Sequence, residues 1–239
     1  SEKMNINRIS LCQSENWIFN NLPRALDSDY YPIYDFKYPF SFELALDCER
    51  IVYKLKEYDI KSEICWHLVV TFINDGENKC SELIDFIAFG QSKMRFVNIA
   101  EKAEEFNSMT TKDKRRCLLD SICSAVMLVT NETDHARVIQ IINEVFESAD
   151  NIECVYVKKC TKKYDAVVKF KSSLKGYNIV LSVKNNITGK EKQTILFENG
   201  SYADLVYGIH KIIFKGKQCV IMSKDDGRNF DKPIVVDLF

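Results

Sequence analysis

A chain of 239 residues, 46% hydrophobic and 28% charged, has the apolar content to bury a core and is too evenly mixed for a long disordered tract. It holds no run of about twenty apolar residues, which excludes a membrane-spanning helix, and its first thirty residues lack the basic start and apolar stretch of a secretory leader. The formal net charge of −1 conceals a division: residues 151–219 hold thirteen Lys against five Asp or Glu, a net of +8, whereas residues 1–150 carry −8.

In chain order, Asn5 to Cys12 reads as a short strand, followed by a helical turn near Glu15 to Asn21. Residues 23–40 contain three of the four prolines and a cluster of tyrosines, the composition of an irregular connection. Ser41 stands where a cap belongs, ahead of a helix with the apolar stripe Leu44, Cys48, Ile51, Val52, Leu55 and Tyr58. Glu63 to Ile73 alternates as a strand, with Ile64, Trp66, Leu68, Val70 and Phe72 on one face, and Asn74-Asp75-Gly76-Glu77 forms a turn. From Asn78 to Ala149 the spacing predicts helices. Leu83, Ile84 and Ile87 mark the first, with Gly90 as its C-cap, and Phe96, Ile99, Ala100, Ala103 and Phe106 mark the second. Thr110-Thr111-Lys112-Asp113 opens a third with stripe Leu118, Ile122, Ala125, Val126 and Val129. The fourth runs from His135 to Glu147 and turns Val138, Ile141, Ile142 and Val145 inward.

After Asp150 the period changes. Ile152–Lys159, Tyr164–Lys171, Tyr177–Lys184 and Lys192–Glu198 read as four strands of an antiparallel meander. Ser201 caps a helix carrying Leu205, Val206, Ile209, Ile212 and Ile213, and strands Gln218–Ser223 and Ile234–Leu238 close the chain. The expected class is α+β: an acidic, mainly helical region with a short sheet over 1–150, then a basic β-meander with one packed helix over 151–239.

Nine cysteines, an odd number spread through apolar segments, suit free thiols in a reducing compartment, hence a cytoplasmic protein. No CxxC occurs, and the pairs Cys117/Cys123 and Cys154/Cys160 lie six residues apart. That spacing puts two helical side chains on different faces. His67, His135 and His210 stand at no ligand spacing to them, so neither a metal nor any other cofactor is expected. Glycine-rich phosphate loops are absent from the sequence. Cys65 and His67 alternate on a strand, a pattern of packed side chains rather than of a nucleophile and its base.

Two surfaces are candidates for function. Tyr30-Tyr31-Pro32-Ile33-Tyr34-Asp35-Phe36-Lys37-Tyr38-Pro39-Phe40 concentrates rigid aromatic contact area. Together with the charge of residues 1–150, it points to an intracellular protein that binds another protein stoichiometrically, such as an immunity or antitoxin-type inhibitor covering a partner with a basic surface. The candidate contacts are Tyr30, Tyr31, Tyr34, Tyr38, Asp27, Asp29 and Asp35. The alternative is nucleic acid held by Lys158, Lys159, Lys162, Lys163, Lys169 and Lys171. Against it, all thirteen cations of residues 151–219 are Lys, whereas base-reading surfaces usually call on the rigid fork of Arg.

In that alternative, Glu144 on the fourth helix, Asp165 in Tyr-Asp-Ala-Val-Val and Lys184 in Ser-Val-Lys resemble the core of the PD-(D/E)xK nucleases. The resemblance implies a metal-dependent nuclease with those three residues at its centre. Ser182 occupies the place of that family's second carboxylate, and the strand at 192–198 is additional. Independently of any family, a four-residue turn that places Lys171 opposite Asn178 also places Asp165 opposite Lys184, an ordinary cross-strand charge pair.

Overall fold

A computed structural model of the chain describes residues 2–14, 31–32, 41–73, 81–84, 93–100, 105, 108–224 and 232–239. The expected turn at 15–21, most of the aromatic connection, the turn at 74–77 and the cap at Gly90 fall outside them. The chain is α+β and divides into two compact units, Ser1–Ala149 and Asp150–Phe239.

The first unit is built on a five-stranded sheet. Its strands are β2 (Arg8–Ser14), β3 (Tyr31–Pro32), β5 (His67–Ile73), β6 (Ser81–Ile84) and β7 (Met94–Ala100), in the order β3-β2-β5-β7-β6. The three central strands run parallel, and β3 and β6 pair antiparallel at the edges. Strands β6 and β7 lie where the sequence spacing predicts helices. A short apolar run fits either period, and here the β-branched residues Val97 and Ile99 sit in a ladder with β5. The middle strand also departs from simple alternation. Leu68, Val69 and Val70 are all buried in succession, as expected of a parallel strand covered on both faces.

Among the described residues three helices accompany that sheet: α1 (Ser41–Glu57), α2 (Thr111–Val129) and α3 (His135–Ser148). Helix α1 forms the crossover between parallel β2 and β5, and α3 packs on both other helices. Their inward stripes match the 3–4 spacing, with Leu44, Ile51, Leu55, Ile122, Val126, Val138 and Ile141 inaccessible to solvent; Tyr58, beyond the end of α1, is 39% exposed instead. Thr110 caps α2 by accepting the Asp113 backbone N–H at 3.2 Å. A small ladder of β1 (Met4–Asn5) and β4 (Lys61–Ser62) extends through a bridge from Ser62 to Thr130.

The second unit holds the meander β8 (Cys154–Cys160), β9 (Tyr164–Ser173), β10 (Gly176–Asn185) and β11 (Glu191–Gly200), with spatial order β11-β10-β9-β8. On its inner face Tyr164, Ala166, Val168, Phe170, Ile179, Leu181 and Val183 are buried. A second sheet of β12 (Lys211–Lys215), β13 (Gln218–Met222) and β14 (Ile234–Asp237) packs there, with the Phe214 ring 5.2 Å from that of Tyr164. Ser201 and Asp204 form a capping box for α4. That helix ends at Val206, short of the expected Ile213. A side chain at Gly208 would strike the Asp204 carbonyl, and Ile212 and Ile213 instead pair with β13.

Candidate functional site

The first unit encloses a set of charges. Asp47 on α1 is inaccessible to solvent and Arg50, one helical turn on, is 3% exposed; Arg50 Nη1 donates to Asp47 Oδ1 at 2.8 Å. Arg115 on α2 donates from Nε to Asp47 Oδ2 at 2.8 Å and from Nη2 to Oδ1 at 3.0 Å. The same guanidinium reaches the Val145 and Phe146 carbonyls at the end of α3, each at 2.9 Å. Lys54, also buried, lies 3.3 Å from Glu57 and 3.5 Å from Glu144. Burial of ions is tolerated only with this degree of pairing. The arrangement locks α1, α2 and α3 together.

Its consequence is felt at the surface. With Arg50, Lys54 and Arg115 drawn inside, the exposed carboxylates among the described residues of Ser1–Ala149 number ten: Glu2, Glu43, Glu57, Asp59, Glu63, Glu105, Asp113, Asp120, Glu132 and Glu147. The fully exposed cations are five, Lys3, Arg8, Lys93, Lys112 and Arg137, while Lys56, Lys61, Arg95, Lys114 and Arg116 are half-buried, as are Glu49, Asp134 and Glu144. Among the described residues of Asp150–Phe239 the balance is reversed, with fourteen exposed Lys against Asp150, Glu153, Glu191, Glu198 and Asp237. The fully exposed charges among the described residues are therefore mainly acidic in the first unit and mainly basic in the second.

The meander's outer face carries Lys158, Lys169, Lys171, Asp165 and Lys184. Strand register sets Asp165 opposite Lys184, and Lys184 opposite Glu191 with Nζ 3.8 Å from its carboxylate. Lys169 donates to Glu153 Oε1 at 2.7 Å. Lys158, Lys159 and Lys171 are exposed on β8 and β9, and Lys162 and Lys163 are exposed in the turn between them. Glu144 belongs to the other unit, where it pairs with Lys54. Among the described residues no group of three His, Cys, Asp or Glu side chains is placed to hold a metal ion.

Of the aromatic and acidic contact candidates, Tyr30, Tyr34, Tyr38, Asp27, Asp29 and Asp35 lie outside the described residues. Tyr31 enters through its backbone, which pairs with Gln13. No described helix is long and apolar enough to cross a membrane.

The histidines stand apart. His135 bonds the Met127 carbonyl at 2.9 Å, and His210 is exposed in the second unit. His67, 7% exposed, shares a hydrogen bond with Ser10 Oγ at 2.9 Å across the parallel β2–β5 pair. Burial first, and the Arg8 guanidinium second, hold its pKa down to about 4. Sequence reading had no means to find the Ser10–His67 and Asp47–Arg115 contacts, since neither pair shares a periodic element. Burial pushes the thiols of Cys65, Cys123 and Cys219 up to about 11, which marks them as packing groups rather than nucleophiles. Comparison with protein families, curated proteins and solved structures finds no match to this chain.

Proposed function

We propose that the protein acts by stoichiometric contact with another protein inside the cell. In this reading the acidic surface of Ser1–Ala149 covers a partner with a basic surface, in the manner of an immunity or antitoxin-type inhibitor. The observation that carries it is the excess of ten exposed carboxylates over five exposed cations among the described residues of that unit, an excess sharpened by the burial of Arg50, Lys54 and Arg115. Such a field steers a basic partner and speeds its encounter, while repelling acidic competitors. Tyr30, Tyr31, Tyr34 and Tyr38 are the proposed apolar anchors beside Asp27, Asp29 and Asp35. The acidic rim then supplies rate and selectivity, and the rings supply most of the affinity.

A second reading rests on the fourteen exposed Lys among the described residues of Asp150–Phe239. Nucleic acid would lie along Lys158, Lys159, Lys162, Lys163, Lys169 and Lys171, and in its catalytic form Asp165 and Lys184 would act on it. The two readings part on capture of the tagged full chain from an extract of its own cells, with and without nuclease. A protein recovered in stoichiometric amount after nuclease treatment supports the first. Recovery of nucleic acid alone, lost as salt rises, replaces it with the second.

A further inference from the structure

On the outer face of the second unit's meander, each strand sets one aliphatic side chain: Val155, Val167, Val180 and Ile195. Register sets Val155, Lys169, Val180 and Ile195 in one row across the sheet, and Val167 in the next row between Lys158 and Ser182. Ile195 is 60% exposed. In a unit whose exposed residues run heavily to Lys, this face is close to charge balance, because Lys169 is met by Glu153 and Lys184 by Glu191 and Asp165. Nucleic acid fits it poorly: the face offers aliphatic groups where bases stack on rings, and Asp165 and Glu191 stand among the lysines.

We propose that this face is an isologous contact between two copies of the chain. The outward residues of β9 read Asp165, Val167, Lys169, Lys171, negative at one end and positive at the other. A two-fold axis lying between the stacked faces, and crossing β9 midway between Val167 and Lys169, lays Asp165 of each copy over Lys171 of the other. It also lays each Val167 over the apolar stem of the other copy's Lys169. Within one copy Asp165 and Lys171 are about 20 Å apart along an extended strand, so they pair only between copies. Four strands at about 4.8 Å spacing and about seven residues in length offer roughly 400 Å² per copy. That is the lower end of specific association, so the dimer is weak and concentration-dependent.

Sedimentation of the full chain over a concentration series tests this. The wild type is expected to pass from monomer to dimer, and Ile195→Asp to raise the dissociation constant tenfold or more. Asp165→Lys and Lys171→Asp each weaken the dimer several-fold, and the two together restore it. Circular dichroism checks that each variant is folded; Ile195→Ser serves if Ile195→Asp is not. A monomer at every concentration overturns the proposal. So does a dimer indifferent to Ile195, or a double swap weaker than either single one. Duplex DNA that binds wild type and is released by Ile195→Asp would give the face to nucleic acid and overturn it equally.

Discussion

The carboxylate of Asp47 and the guanidinium of Arg115, sixty-eight residues apart in the chain, meet in a two-pronged pair at 2.8 and 3.0 Å. Because Arg115 also holds two carbonyls of α3, this one side chain ties three helices at a single point. Removing the carboxylate leaves Arg50 and Arg115 uncompensated in the interior. Asp47→Ala is expected to cost about 3–5 kcal/mol. Arg115→Lys, which keeps the charge and loses the fork, should cost about 2 kcal/mol. Urea denaturation reads both, and a loss under about 0.5 kcal/mol for Asp47→Ala, the scale of an ordinary surface change, would contradict the assignment.

His67 makes stability depend on pH with a definite sign. Its imidazole takes a proton near 6.5 when unfolded and only near 4 when folded. Between those values the unfolded chain binds more protons, so stability is full above pH 6.5 and falls as pH drops toward 4, by about 3 kcal/mol. His67→Gln should flatten that limb. Parallel profiles for variant and wild type would show that the group does not titrate as described.

The thiols should separate by reactivity. Cys160 is exposed, whereas Cys65, Cys123 and Cys219 are buried with their pKa raised to about 11. Brief alkylation of the native protein at neutral pH, read by peptide mass spectrometry, should label Cys160 and spare those three until denaturant is added. Equal labelling of Cys65 and Cys160 would count against the packing described for the first unit.

Two turn glycines offer a graded test of the meander. Gly176 has φ +127°, and an added Cβ would lie 2.6 Å from the Gly200 carbonyl oxygen. Gly189 has φ +71° and open space around it. Alanine at 189 should cost about 1 kcal/mol, from the left-handed backbone alone, and alanine at 176 clearly more. The reverse order in thermal melts would contradict the close approach of β10 to the end of β11.

What the sequence discloses follows from the range of its interactions. Helices α2 and α3 and the four meander strands are legible because their periods and caps are local, and the Asp165–Lys184 register follows from one turn. Strands β6 and β7 are not, since short apolar runs such as Met94–Ala100 fit a buried strand as well as a helix until β5 is placed beside them. Strand β12 is hidden for a related reason: Ile209, Ile212 and Ile213 keep helical spacing, and Gly208 with the β13 pairing decides otherwise. For the surface, charge counting finds the division between halves. It does not find the withdrawal of Arg50, Lys54 and Arg115, which depends on contacts such as Asp47–Arg115 that no local pattern encodes.

The most direct test of the central claim compares two baits in nuclease-treated extract of the source cells: the wild type, and a variant carrying Glu43→Gln, Glu132→Gln and Glu147→Gln. The wild type is expected to recover a stoichiometric protein partner, less well at high salt, and the variant to recover it several-fold more weakly at low salt. Undiminished recovery by the variant at every salt concentration, or nucleic acid as the only captured species, would contradict the claim.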